Sequence, residues 1–353
     1  MKFEERDLEF IKCAAIETIW NVQDSVRKLI ALDPARALNP DKIEGGGKVK
    51  PAVHIDIYAE IDASLKLNQF LKPKYPELQV LGEETLLNNP GVKDFDGLVV
   101  LMDMVDGTDL LERNLSNWCS ALVFYHPAQH QILGAFIGIP DQLLWDPNVD
   151  KDATWIRHHD TIYFSMYGDH HVSKAIRKTR HPYPHTLKEV TGPRTDCGDL
   201  AKASLSFYGQ QVSNLFPDNP AFDALRRNLI KINADHKDAG EKLALRLYTL
   251  AGNPLMMHLI DPYVAGKAIN VVFDLCGQAP HDVVPGAYLA LKAQAKLYRL
   301  SFGIPQSQPH ALSEIELAMM LDRPAATASK LYYVLACSEQ VAAQFMNCLR
   351  PPT

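Results

Sequence analysis

Apolar positions recur at helical spacing over residues 5 to 31, through Leu8, Ile11, Ala15, Ile19, Val22, Val26 and Ile30, and predict a long amphipathic helix. The segment LDPARALNP ends it, because its two prolines forbid continuation. A second helical pattern, AEIDASLKLNQFL, closes at Pro73, and LQVLGEET reads as a short strand with a carboxylate-rich end. GLVVLMD is the next strand, and WCSALVFYHPAQHQILGAFIGIPDQLLW predicts a hairpin or meander turning at Pro127 to His130. Residues 150 to 245 show no clean periodicity beyond a strand at ASLSFYG and a helix at PAFDALRRNLIKI. The pattern then clears: KAINVVFD is a strand, PGAYLALKAQAKL a helix, and KLYYVLACSEQVAAQFMNCL a strand passing into a terminal helix. Mixed strands and helices without a repeat imply a layered α/β or α+β protein.

A chain of 353 residues exceeds the usual single domain, so one large domain or two tightly joined subdomains is expected, divided at 1–150 and 151–353. The balance of 47% apolar and 22% charged residues describes an ordinary globular protein with an ample core. A net charge of -6 gives no electrostatic footprint for a nucleic acid polymer. Six scattered cysteines without a CxxC pair argue against a zinc site and a disulfide framework, and fit a reducing compartment. The charged start MKFEERDLEFIKC shows no secretory signal, and no apolar run reaches the roughly eighteen residues of a membrane span. Cytoplasm is the expected location, with no membrane partner. GGGK at 45–48 lacks both the earlier glycine and the following Ser or Thr of a phosphate loop, and reads as a turn.

Candidate chemistry lies where strands end in acids: Glu83 with Glu84, Asp103 with Asp106, and Asp282 after NVVFDLCGQAPH. Two unit charges 4 Å apart repel by about 4 kcal/mol at an effective dielectric of 20. Hard divalent cations, Mg²⁺ above all, remove that cost and prefer oxygen ligands. Asp106-Gly107-Thr108 would open a helix through LLERNL, whose free N–H groups suit phosphate. DGT alone is common turn chemistry, and Asp109 beside it reads as favourable charge in a first helical turn. With GEE upstream and HDVVPGA downstream, a metal-assisted phosphoryl-transfer site is the better reading.

GEE at 82–84, DMVDGT at 103–108 and HDVVPGAYLALKA at 281–293 resemble the inositol monophosphatase superfamily, which includes fructose-1,6-bisphosphatases and 3'(2'),5'-bisphosphate nucleotidases. Its motifs run GEE, D-P-(I/L)-D-G-T and W-D-x-A-x-(A/G), and the resemblance covers most of the chain apart from about 150–245. It implies an α+β fold, the layered α-β-α-β-α sandwich of the sugar phosphatase type. It also implies Mg²⁺-dependent hydrolysis of a small phosphate monoester (inositol, sugar or nucleotide phosphate) by metal-activated water, with two or three ions and a homodimeric assembly. Glu83 and Asp103 with the Val105 carbonyl match the family's first-metal ligands, and Asp103, Asp106 and Asp282 the second-metal ligands. Gly107 and Thr108 match the phosphate-binding amides. Thr108 pairs in the family with an acid that counting back from Tyr75-Pro76 assigns to Glu60, Asp62 being the alternative.

Asp274 corresponds to an acid that binds substrate hydroxyls, and Gly252-Asn253 falls near a substrate segment. Met104 stands where the family has Pro, Val284 where it has a small Ala, and His281 where it has Trp, which brings His281 toward substrate or into ordinary packing. Trp118, Trp145 and Met256-Met257 read as core. A bisphosphate nucleotidase or sugar bisphosphatase is the alternative with the same chemistry. A catalytically weak protein that binds a phosphorylated metabolite is the alternative of another class. Replacement of Asp106 by Asn is expected to abolish Mg²⁺-dependent phosphate release without unfolding, as read by a phosphate assay beside circular dichroism.

Overall fold

The computed structural model describes residues 3–33, 37, 40–42, 51–83, 92, 95–108, 111, 118–144, 157–178, 186–190, 192–193, 197–207, 220–238, 245–249, 252–261, 269–301, 309–322 and 330–350. Helix α1 spans Glu5–Leu32, and its first turn is held by the Glu4 N–H donating to Asp7 at 2.8 Å. Two short strands, β1 (Pro40–Lys42) and β2 (Pro51–Val53), pair antiparallel before α2 (His54–Leu71). Then follow β3 (Gln79–Gly82), β4 (Val99–Asp106), β5 (Cys119–His126), β6 (Gln131–Leu144), β7 (Arg157–Met166), β8 (Ser173–Lys178) and β9 (Thr186–Glu189). They form one seven-stranded sheet in sequence order, in which only β3 and β4 run parallel. The boundary expected at residue 150 falls between β6 and β7, which are adjacent in that sheet.

The remainder is β10 (Ser204–Phe207), α3 (Pro220–Asp238), β11 (Arg246–Thr249), α4 (Gly252–Ile260), β12 (Val271–Gln278), α5 (Pro280–Lys292), β13 (Lys296–Arg299), β14 (His310–Ala311), α6 (Glu314–Leu321), β15 (Leu331–Ala336) and α7 (Glu339–Cys348). Six of these strands make a second sheet in the order β11-β10-β12-β15-β13-β14.

Three apolar clusters define the layering. Val100, Met102 and Met104 of β4 face Ile19, Val22 and Val26 of α1 and Ala59 and Ala63 of α2. On the opposite face, Val99 and Leu101 join Tyr288 of α5, Met256 and Met257 of α4, and Val272 and Leu335 of the second sheet. The outer face of that sheet, with Phe273 and Val334, is covered by Leu225 of α3 and Phe345 of α7. The order is therefore helix, sheet, helix, sheet, helix, the α-β-α-β-α sandwich of the expected α+β class. A strand buried on both faces cannot alternate apolar with polar residues, which explains the continuous run VVLM.

Strands β7 to β9 lie in the stretch that showed no periodicity. Asp160 of β7 is fully buried and interrupts the apolar pattern, and cations from two other elements stabilise it. Arg177 Nε of β8 donates to its Oδ2 at 2.9 Å, and Arg27 of α1 holds it through both Nη atoms. Burial alone would raise this carboxyl, but the Arg27 hydrogen bonds and charge, the Asp141 N–H and Arg177 keep it below its ordinary range. Helix α6 also lacked a sequence assignment, although its capping box was legible: Ser313 Oγ accepts from the Glu316 N–H while Glu316 accepts from the Ser313 N–H. Trp118, Met256 and Met257 are buried as expected, whereas GGGK, Glu84, Asp109 and Trp145 lie outside the described residues.

Replacing Asp160 with Ala leaves buried Arg177 and half-buried Arg27 dependent on the more exposed Asp24 and Asp141, and is expected to cost about 3–5 kcal/mol in urea denaturation. The contribution of Asp160 is present above about pH 4, the unfolded value, and is lost as pH falls through its lower folded value.

Candidate active site

Glu83 follows β3, where its N–H donates to the Met102 carbonyl at 3.0 Å. Asp103 lies within β4, and Asp282 sits in the first turn of α5. One carboxylate oxygen from each of these three residues lies within 4.8 Å of the others. A register shift between β4 and β5 falls between Asp103 and Asp106, so the strand bends at the motif. Gly107 then adopts φ +96°, a conformation that penalises a side chain. The Leu111 N–H donates back to the Gly107 carbonyl at 3.1 Å, so a helical turn opens where the motif predicts one.

The electrostatics are those of crowded acids. Burial pushes the Asp103 carboxyl well above its ordinary range, and Glu83, Asp106, Asp282 and Asp56 push it further in that order. Asp106 is also raised by burial, against the lowering effect of hydrogen bonds from Asn253. Half-buried oxygen donors with mutual repulsion and a spread under 5 Å fit a hard divalent cation. Glu83, Asp103 and Asp282 are the one such group among the described residues.

Thr108 Oγ1 lies 2.7 Å from Asp56 Oδ1 and 2.9 Å from the Val105 carbonyl. The acid beside Thr108 is therefore Asp56, in the first turn of α2, and the expected pairing with Glu60 is corrected. Asp56 and Glu60 are four residues apart and share one face of α2. Glu60 lies one turn farther on, buried against β3, where a Cβ on Gly82 would meet its Oε2 at 2.1 Å. Asp62, the alternative, forms an ion pair with Lys66 of its own helix. The missed signal was the acid in the opening turn of HIDIYAEID; counting back from Tyr75-Pro76 ended one turn late.

Asp106 does not join the 4.8 Å group, and its Oδ2 is engaged elsewhere. It accepts the Asn253 N–H and Nδ2–H at 3.0 Å each, with Cys119 Sγ at 3.7 Å. Asn253 is fully buried at the start of α4, and its Oδ1 accepts the Gly286 N–H of α5 at 2.9 Å. The Asn-Pro pair ahead of an apolar run is a legible helix start, but its reach to Asp106 is a tertiary fact.

Asp274 is buried in β12, and its Oδ1 accepts the N–H groups of Cys276 (2.9 Å) and Gly277. Burial raises its carboxyl to about 6 against those hydrogen bonds. Opposite it on β15, Tyr333 is pushed well up by burial and then by Asp274, Asp106 and Asp282, so the three acids act on one region. Met104 and Val284 are fully buried. Met104 keeps the strand path without the family's Pro, its carbonyl accepting Ser120 Oγ at 2.8 Å. Val284 packs in the core between the sheets. His281 stands in the first turn of α5, and its side chain lies outside the described residues.

No family model and no curated protein matches the sequence. Solved structures do match the fold. A staphylococcal inositol monophosphatase-1, soaked with LiCl as an inhibitory complex, superposes with a TM-score of 0.56 at 14% identity over 99% of this chain and 96% of that one. A Pyrococcus horikoshii protein described as similar to inositol-1 monophosphatase gives 0.54 at 15% identity, covering 97% and 99%. An inositol monophosphatase/NADP phosphatase solved with NADP and Ca²⁺ gives 0.54 at 13% identity, covering 98% and 96%. The chain has the inositol monophosphatase fold. Among the described residues no helix is long and apolar enough to cross a membrane.

The raised carboxyls favour the folded state when protonated, so their stabilisation is present below about pH 4 and is lost as pH rises through their folded values, about 6 for Asp274. Thermal melts in EDTA are expected to show this loss between about pH 4 and 6, smaller in Asp274→Asn. Mg²⁺ is expected to raise the melting temperature most at the upper end of that range.

Proposed function

We propose that the protein is a Mg²⁺-dependent phosphoric monoester hydrolase of the inositol monophosphatase superfamily, acting on a small phosphorylated metabolite. The observation that carries this reading is the Thr108 hydroxyl paired with Asp56 at 2.7 Å, on the loop that joins Asp103 and Asp106 to the helix start. Glu83, Asp103, Asp282, the Val105 carbonyl and Asp106 through Oδ1 would hold the cations. When bound, these ions supply the charge that polarises a phosphoryl group and makes a water acidic.

The chain's own residues handle orientation and the proton. A hydroxyl has one proton, and Thr108 Oγ1 would take a proton from the attacking water as its own proton passes to the Asp56 carboxylate. The N–H groups at Gly107 and Thr108 suit the phosphate oxygens, as helix starts generally do. Asp274, held by two backbone N–H groups, offers a fixed acceptor for substrate hydroxyls, and His281, the residue before Asp282, is a candidate for substrate contact. No covalent phosphoenzyme is needed. The substrate class is one of inositol, sugar or nucleotide phosphates.

Across a panel of such esters, Asp56→Asn is expected to lower kcat by about 10²–10⁴-fold with little change in KM. Glu60→Gln is expected to lower it far less, because Glu60 supports the strand rather than Thr108. Equal losses in the two variants would sink the assignment of Asp56. Ester binding without turnover by the wild-type protein would overturn hydrolysis itself.

A further inference from the structure

Asn253 bridges three elements with one side chain. Its N–H and Nδ2–H converge on Asp106 Oδ2 at the end of β4, and its Oδ1 takes the Gly286 N–H of α5. A Cβ on Gly286 would lie 2.6 Å from Asn253 Oδ1 and 2.7 Å from Met256 Sδ, so the close approach requires glycine there. The first N–H groups of a helix lack acceptors within it, and Asp106 supplies one to α4 from the other side of the cleft.

The Asp106 carboxylate is surrounded by the charge of its acidic neighbours. A free side chain would turn away from them or take up a proton. Two N–H donors on Oδ2 restrain that rotation.

We infer that Asn253 is the positioning residue of the carboxylate cluster, holding Asp106 by one oxygen so that the other serves a divalent cation. Cation binding is thereby coupled to the seating of α4 and α5 against β4. The inference rests on the cation site proposed above, and on no particular substrate or turnover.

The test is calorimetric titration of the metal-free full chain with Mg²⁺ in the absence of any phosphate ester. The wild type, Asn253→Ala, Asp106→Asn and the double variant form the cycle, with circular dichroism confirming the fold. Asn253→Ala is expected to weaken Mg²⁺ binding by about tenfold or more. In the Asp106→Asn background, where Glu83, Asp103 and Asp282 still bind, the same substitution is expected to change nothing further. Asn253→Ser, too short to reach Asp106 and Gly286 together, replaces Asn253→Ala if that variant does not fold, with the same pattern expected.

Unchanged affinity, an equal loss in both backgrounds, or no Mg²⁺ binding by the wild type would overturn the inference. An intact cycle in a protein that hydrolyses no ester would support it while removing the hydrolase reading.

Discussion

Crowding of negative charge at the end of β4 constrains everything around it. Glu83, Asp103 and Asp282 bring oxygens within 4.8 Å, where each pair of full charges repels by about 3 kcal/mol at an effective dielectric of 20. A domain's whole stability is about 5–15 kcal/mol, so three such pairs cannot be carried without compensation. The raised carboxyls of Asp103 and Asp106 show one compensation, proton uptake, and the donors on Asp106 Oδ2 show another. A divalent cation would be the third, and it turns a cost of folding into a binding energy.

The acids converge because the layers do. β3 and β4 end side by side in the first sheet, and α5 starts at the same level with Asp282 in its opening turn. Beneath them, α1 fixes the strand from the opposite face: Gln23 donates to the Gly138 carbonyl, and Ser120 Oγ holds the Met104 carbonyl. Met104 belongs to this packing. Its side chain fills the core under α1 and α2, and its backbone is anchored where a proline would have set the turn.

Two buried polar systems do different work in this molecule. Around Asp160, acids and guanidinium groups neutralise each other and tie α1 to β7 and β8. Around Asp103, the charges are of one sign. Paired charges of opposite sign hold the fold together, whereas a cluster of one sign suits a divalent cation.

Much of this was legible from residue order. α1, α2, β4, the β5–β6 hairpin and α5 follow from periodicity and from proline and glycine positions. The three acidic motifs, Glu83, Asp103 and Asp106, and Asp282, follow from strand ends that carry more carboxylates than turns require. Local pattern reports what a segment does with its own neighbours, and here it sufficed. It could not report β7, whose apolar rhythm is broken by an aspartate that Arg27, more than a hundred residues earlier, and Arg177 of the next strand make tolerable. Nor could it separate Asp56 from Glu60, since both occupy one face of α2 and only the approach of Thr108 distinguishes them. Gly252-Asn253 was read only as falling near a substrate segment, and the bond of Asn253 to Asp106 spans 147 residues and exists because two sheets close on each other. The sequence by itself determined which chemistry is present; the tertiary structure decided which side chains meet to perform it, because distance between residues far apart in the chain is set by packing.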